Sequence, residues 1–310
     1  MKISDKPASS EKPLVSILLP TYNRSRYLES CMRSVLGQSY ENWELIISDD
    51  ASGDDTHEVA SEISKRDSRI HYHRNPTRQG LPKNRNICIS LSKGSLVFFI
   101  EDDLKLEPDC LRILVETLAK LKDQGVKVGA IAPRLLEREK PASAMGNLFR
   151  YASNSRRRKM NLPCEIDKFT GLVYRNFGAD FGSLQEVVDI HACSLFSKKA
   201  FEEVGGYSDV YRGTYVLQED DLHLRMRRKG YKLYFQPNAV IHHELAGTGG
   251  CADFSSSIAF SYYFLRNQVI FTVRNFGIKS LFMIPFFFFY ISLKTIEYTF
   301  RFRDRHSRRF

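Results

Sequence analysis

Between residues 14 and 133 the chain alternates short apolar runs with longer amphipathic stretches, and this alternation limits the possible folds more than any other feature. The runs at 15–20, 43–48, 70–73, 95–100 and 126–132 are rich in β-branched or aromatic residues, as strands are. The stretches at 27–36, 56–65, 84–91 and 108–121 carry helical periodicity, and the last opens with Pro108-Asp109 as a first helical turn does. Strand-helix alternation at this spacing implies crossover units, and therefore an α/β fold whose mainly parallel sheet has helices on both faces. Ligands of such sheets bind beyond the carboxyl ends of the strands.

Composition narrows the classes. Of 310 residues, 43% are hydrophobic and 12% aromatic, enough for a sizeable core and too much for a disordered chain. The net charge of +10 favours anionic partners. Six scattered cysteines without a C-x-x-C pair argue against a zinc cluster or a disulfide framework and fit a reducing compartment. Residues 1–13 are polar and lack the apolar run of a secretory signal, so a cytoplasmic location is expected.

The strand ends carry the chemistry. The first ends in Pro20-Thr21-Tyr22-Asn23-Arg24, without the glycines of a dinucleotide turn, and no P-loop motif occurs. The second ends in Ser48-Asp49-Asp50 and the fourth in Glu101-Asp102-Asp103. Each alone fits a solvated turn. Three consecutive acids after an apolar run repel one another unless a cation neutralises them, and a hard divalent ion, Mg²⁺ or Mn²⁺, meets that need.

The runs Val15-Ser16-Ile17-Leu18-Leu19-Pro20-Thr21-Tyr22-Asn23-Arg24 and Trp43-Glu44-Leu45-Ile46-Ile47-Ser48-Asp49-Asp50 come first. Then follow Gly80-Leu81-Pro82-Lys83-Asn84-Arg85, Glu101-Asp102-Asp103, Gln218-Glu219-Asp220-Asp221-Leu222 and Ala239-Val240-Ile241-His242-His243. In this order they resemble the family 2 glycosyltransferases of the GT-A fold over residues 14–245. The resemblance implies a Rossmann-like nucleotide-binding sheet. It also implies inverting, metal-dependent sugar transfer from a nucleotide-diphosphate donor to a hydroxyl acceptor of a glycan or lipid-linked glycan.

Residue by residue, the resemblance implies metal ligation by Asp103, Glu101 and His243, with Glu101 a departure from the family's aspartate. It implies donor contacts at Thr21, Asn23, Asp50, Arg85 and Asp102. Asp50 matches a position that contacts the donor base, and Arg85 one near its phosphates; the plain alternative for Arg85 is a surface arginine. The base is Asp220 or Glu219, depending on whether the acidic motif is matched through Asp221-Leu222 or slid by one residue. Acids in a first helical turn also complement the helix dipole. His242 is the less favoured of the two histidines. His191 stands where many members carry glycine, which narrows the acceptor or sugar pocket; no chemistry is assigned to it.

Three segments follow: 1–13 flexible, 14–255 catalytic, and 256–310 helical and membrane-associated. Residues 135–187 read as a variable loop region, and the basic run at 156–159 as solvated or facing phosphates. Residues 280–293 are uncharged but shorter than a span and contain Pro285, so an interfacial helix at an anionic cytoplasmic membrane face is expected, aided by the arginine-rich tail. Burial in a core or a dimer is the alternative. No nucleic-acid partner is expected, and the oligomeric state stays open. A nucleotidyltransferase of the pyrophosphorylase type and a non-catalytic polyanion-binding adaptor are the competing functions. The first lacks its glycine-rich loop here, and the second gives no reason for acids at 50, 101–103 and 219–221 together.

Overall fold

The apolar runs assemble into a nine-stranded sheet in the computed structural model, which describes residues 12–137, 160–244 and 257–307, the last ten of these as helical backbone only. Residues 1–11, the basic run at 156–159, the expected boundary at 255 and the side chains of the arginine-rich tail lie outside the described residues. One half of the sheet is parallel, in the order β3 (Ile70–Arg74), β2 (Trp43–Asp49), β1 (Val15–Thr21), β4 (Leu96–Phe99). Every residue of β1 and β2 is buried because helices cover both faces. The helices α1 (Ser25–Leu36), α2 (Thr56–Arg66) and α4 (Cys110–Asp123) pack on Val15, Ile17 and Leu19. On the other face lie α3 (Leu81–Leu91), α5 (Lys198–Glu203) and α6 (Gln218–Arg228), in the cluster that contains Leu18 and Ile46. Pro20 is tolerated in this central strand because the β4 ladder has already ended at Leu18 and Phe99.

Beyond β4 the sheet becomes mixed. β10 (Leu195–Ser197) runs antiparallel between β4 and β6 (Val128–Glu137). β6 pairs in parallel with the long β11 (Lys232–His243), whose edges also take β9 (Gln185–Val187) and β5 (Leu104–Leu106), both antiparallel. The β6–β11 register jumps from Pro133–Gln236 to Arg134–Val240, leaving residues 237–239 in a bulge that accommodates Pro237, which has no N–H to offer the ladder. Past the bulge β11 pairs with β5, setting His243 opposite Leu104, one residue from Asp103.

A two-stranded hairpin, β7 (Cys164–Ile166) and β8 (Val173–Arg175), stands apart from the sheet. Two helices, α7 (Ser257–Phe276) and α8 (Ser280–Ser307), follow, joined by a 3₁₀ turn at Gly277–Lys279. α7 buries Asn267, Gln268, Phe271 and Thr272. α8 buries Met283 and Phe287 and sets Tyr290 3.4 Å from the Tyr174 hydroxyl of the hairpin.

Candidate active site

The strand ends do converge. Thr21, at the end of β1, donates its hydroxyl to Asp102 Oδ2 at 2.9 Å. Arg24, buried in the turn that follows, lies 3.7 Å from Asp102 Oδ1 and 3.5 Å from Asp103 Oδ2. Burial pushes the Asp102 carboxyl up to about 7; Arg24 opposes this and neighbouring Asp103 adds to it. The expected repulsion among the three acids is therefore relieved in part by the protein's own arginines.

Glu101, Asp103 and His243 each offer a ligand atom, and the three atoms lie within 4.8 Å of one another. His243 Nε2 is 3.2 Å from Asp103 Oδ1 and 3.7 Å from Glu101 Oε2. Burial alone would lower the imidazole pKa, but the Asp103, Glu137 and Glu101 carboxylates outweigh it and raise the value to about 10. Burial raises that of Glu101 against the pull of Arg85 and His243. Two carboxylates and one imidazole suit Mg²⁺ or Mn²⁺, the imidazole tilting the set toward Mn²⁺. His242 points elsewhere, its Nε2 2.7 Å from Glu107 Oε1.

Asp50 is buried at the end of β2, where its carboxylate accepts from the Asn75 amide at 3.0 Å and from the backbone N–H groups of Gln79 and Gly80 at 2.7 and 2.8 Å. It braces the loop before α3. Asn23 holds a left-handed φ of 53°, a conformation asparagine tolerates, and its Oδ1 accepts from Gly53 N at 2.8 Å. Both residues fix the loops at the carboxyl edge of the parallel half of the sheet.

Arg85 is no surface residue: it is 2% exposed, pairs with Glu219 and lies 3.3 Å from Glu101 Oε1. It thus ties the acidic motif of α6 to the Glu101, Asp103 and His243 cluster. Glu219 and Asp220 line one cavity of about 360 Å³, together with Glu137, Arg175, Phe177 and His191. Asp220 is buried and pairs with Arg175, which also donates to Asp189 at 3.0 Å; His223 Nδ1 donates to the other Asp189 oxygen at 2.7 Å. Burial raises the Asp220 pKa strongly, opposed by Arg175. Asp221 faces away, accepting from Arg225 at 2.9 Å and Asn275 at 3.0 Å.

Sequence reasoning missed Arg24, Glu137, Arg175, Asp189 and His223. Arg24 closes the quoted first-strand motif and was within reach. Glu137, Arg175 and Asp189 lie beyond the predicted end of β6 or in stretches whose strands are too short for periodicity, and His223 sits on α6 directly after the quoted acidic motif, where only its buried contact with Asp189 distinguishes it.

The glycosyl transferase family 2 model matches residues 16–205, well over half the chain. A putative teichuronic acid biosynthesis glycosyltransferase, TuaG, of Bacillus subtilis is 38% identical over 34% of this chain and 42% of its own length. The Campylobacter jejuni GalNAc(5)-diNAcBac-PP-undecaprenol beta-1,3-glucosyltransferase is 36% identical over 34% of each chain. These matches span less than half the length of the curated relatives. Residues 1–349 of S. aureus TarS in complex with UDP-GlcNAc superimpose with a TM-score of 0.58 at 11% identity, covering 88% of this chain and 71% of that fragment, which shows the shared fold. With a family match across most of the α/β sheet and the strand-end geometry described above, the chain belongs to glycosyl transferase family 2.

Proposed function

We propose that the chain transfers a sugar, with inversion at the anomeric carbon, from a nucleoside-diphosphate donor to a hydroxyl of a glycan or lipid-linked glycan. The observation that carries this reading is the convergence of Glu101, Asp103 and His243 within 4.8 Å, joined through Arg85 to Glu219 at the cavity wall. These three residues would hold Mg²⁺ or Mn²⁺, which when bound stabilises the charge of a departing diphosphate. Thr21, Asn23, Asp50, Arg85 and Asp102 shape the donor side: Asp50 and Asn23 by fixing its loops, and Arg85 as a buried cation beside the metal ligands. Glu219 or Asp220 accepts the proton of the attacking hydroxyl.

The names of relatives such as the undecaprenol-linked glucosyltransferase support a lipid-linked acceptor, and the C-terminal helices support a membrane surface. The helical stretch Ile258–Glu297 is apolar and long enough to cross a membrane. Yet α8 packs Met283 and Phe287 inward while leaving Leu281, Phe282, Phe289 and Leu293 exposed, a two-sided pattern that fits a helix lying in the interface. We therefore place the chain at the cytoplasmic face of a membrane, with 14–255 as the catalytic domain and 256–310 as the membrane-associated segment.

Thermal unfolding against a panel of nucleotide sugars, with and without Mn²⁺, tests the donor assignment, since specific binding raises the midpoint. Metal-dependent stabilisation by at least one nucleotide sugar is expected. Stabilisation by none, in either condition, overturns it.

A further inference from the structure

Two residues that line the same cavity each carry a buried polar atom with no hydrogen-bond partner among the described residues: His191 at Nδ1 and Asp220 at Oδ2. The state of His191 follows from its other nitrogen. Nε2 lies 2.8 Å from the backbone oxygen of Pro133, and a carbonyl only accepts, so Nε2 carries the proton and Nδ1 presents a bare lone pair. Burial pulls this imidazole down to about 4, so the ring stays neutral near neutrality. Its orientation is fixed by Phe177, edge-to-face at 5.1 Å. A buried acceptor without a donor among the described residues has room for a partner that a ligand can supply.

The cavity suggests what that partner is. Its volume is about 360 Å³, its apolar wall includes Phe177, Ile190 and Phe264, and its polar side holds Arg175, Glu219 and Asp220. Glu219 is already engaged by Arg85, and one Asp220 oxygen by Arg175. Of the groups left over, His191 Nδ1 accepts from a neutral hydroxyl, and a carboxyl oxygen such as Asp220 Oδ2 exchanges a hydrogen bond with one in either protonation state. A ring with an apolar face and several hydroxyls, a pyranose, combines these features.

We propose that His191 is a specificity-determining residue, whose Nδ1 accepts a hydrogen bond from one ring hydroxyl of the acceptor sugar while Asp220 Oδ2 faces another. This rests on the glycosyl-transfer reading above and adds a rule to it: acceptors lacking that one hydroxyl are rejected. A site built to receive a hydroxyl leaves its own buried acceptor unpaired when the hydroxyl is missing, and discriminates on that basis.

The test uses the full chain with histidine ¹⁵N labels, saturated with UDP and diamagnetic Mg²⁺, titrated with methyl β-D-glucopyranoside, the galactoside, the N-acetylglucosaminide and the monodeoxy derivatives of each. One pyranoside should bind and move the Nδ1 resonance of His191, and one monodeoxy derivative should bind about tenfold more weakly or worse. In His191→Gln the amide N–H still reaches the Pro133 oxygen but no acceptor stands at the Nδ1 position, so the preference over that derivative should vanish. His191→Asn, which places an oxygen near the Nδ1 position, should keep part of it. Pyranoside binding with an unmoved His191 resonance, or a preference unchanged in His191→Gln, overturns the proposal. So does the absence of any pyranoside binding while UDP with Mg²⁺ still stabilises the chain, an outcome that leaves glycosyl transfer standing. Failure to bind UDP in the presence of either Mg²⁺ or Mn²⁺ would sink both.

Discussion

Arg85 shows how burial changes the meaning of a residue. On a helix face it has two readings; enclosed at 2% exposure between Glu101 and Glu219, it joins two acidic motifs more than a hundred positions apart. Asp103→Asn removes one anionic ligand oxygen and should abolish metal-dependent turnover while the far-ultraviolet dichroism stays that of the wild type; near-normal turnover would refute the ligand role. Glu219→Gln and Asp220→Asn should separate the base from its neighbour, the true base losing about 10²-fold or more in turnover with donor affinity nearly unchanged. Two mild kinetic effects would exclude both as base. Asp102 moves from an ordinary 3.8 to about 7. Between those values the folded chain holds a proton that the unfolded chain has released, so this group's contribution to stability falls as pH rises through that window. Asp102→Asn cannot ionise, yet it keeps an oxygen for Thr21. With chelator present it should gain stability relative to wild type as pH rises from about 4 to about 8, by at most about 4 kcal/mol; a pH-independent difference would contradict the assignment.

Among elements, the junction of α6 with α7 carries more than the sequence pattern suggests. Three acids open α6, but only Glu219 and Asp220 face the cavity, while Asp221 turns back to accept from Arg225 on its own helix and Asn275 on α7. Successive residues of a helix point about 100° apart, so one side of the first turn serves the site and the other fastens α7. Asp221→Ala strands those donors and should cost about 3 kcal/mol or more in unfolding experiments, with donor binding by the remaining folded protein unchanged. Equal stability of variant and wild type would show that the junction does not depend on this carboxylate. Gly213 belongs to the same region: at φ +66°, a Cβ there would stand 2.2 Å from the Tyr263 ring of α7, so no side chain fits without displacing that ring.

For the whole molecule, the sheet edge, the cavity and the apolar helix form a series. The hairpin that supplies Arg175 to the cavity also contacts α8 through Tyr174 and Tyr290, and Phe169 in its turn lies 6.4 Å from the Phe286 ring. A surface on which Leu281, Phe282, Phe289 and Leu293 stay exposed exceeds scattered apolar residues. The full chain should float with anionic vesicles at low salt, and the triple replacement Phe282→Ser, Phe289→Ser, Leu293→Ser should reduce that severalfold while nucleotide binding persists. Equal partitioning of both proteins into the soluble fraction would remove the membrane from the proposed function without touching family membership.

The sequence by itself determined the class of sheet, because helical and strand periodicities are local properties that survive without neighbours. It likewise determined the family and the residues at the strand ends, since a motif such as Glu101-Asp102-Asp103 directly after an apolar run needs no tertiary information to be placed. The three-residue strands β5 and β7–β10 left no trace in the sequence, being too short to show a period, and α3 begins at Leu81 rather than at 84 because Pro82 fits a first turn. The tertiary structure alone decided which charges meet. The bulge in β11 carries His243 to Asp103. Enclosed Arg85 and half-buried Arg175 each pair with an acid of α6, and the outward turn of Asp221 takes the third acid from the site. Electrostatic partnership depends on distance and burial between segments far apart in the chain, and neither is written in local sequence.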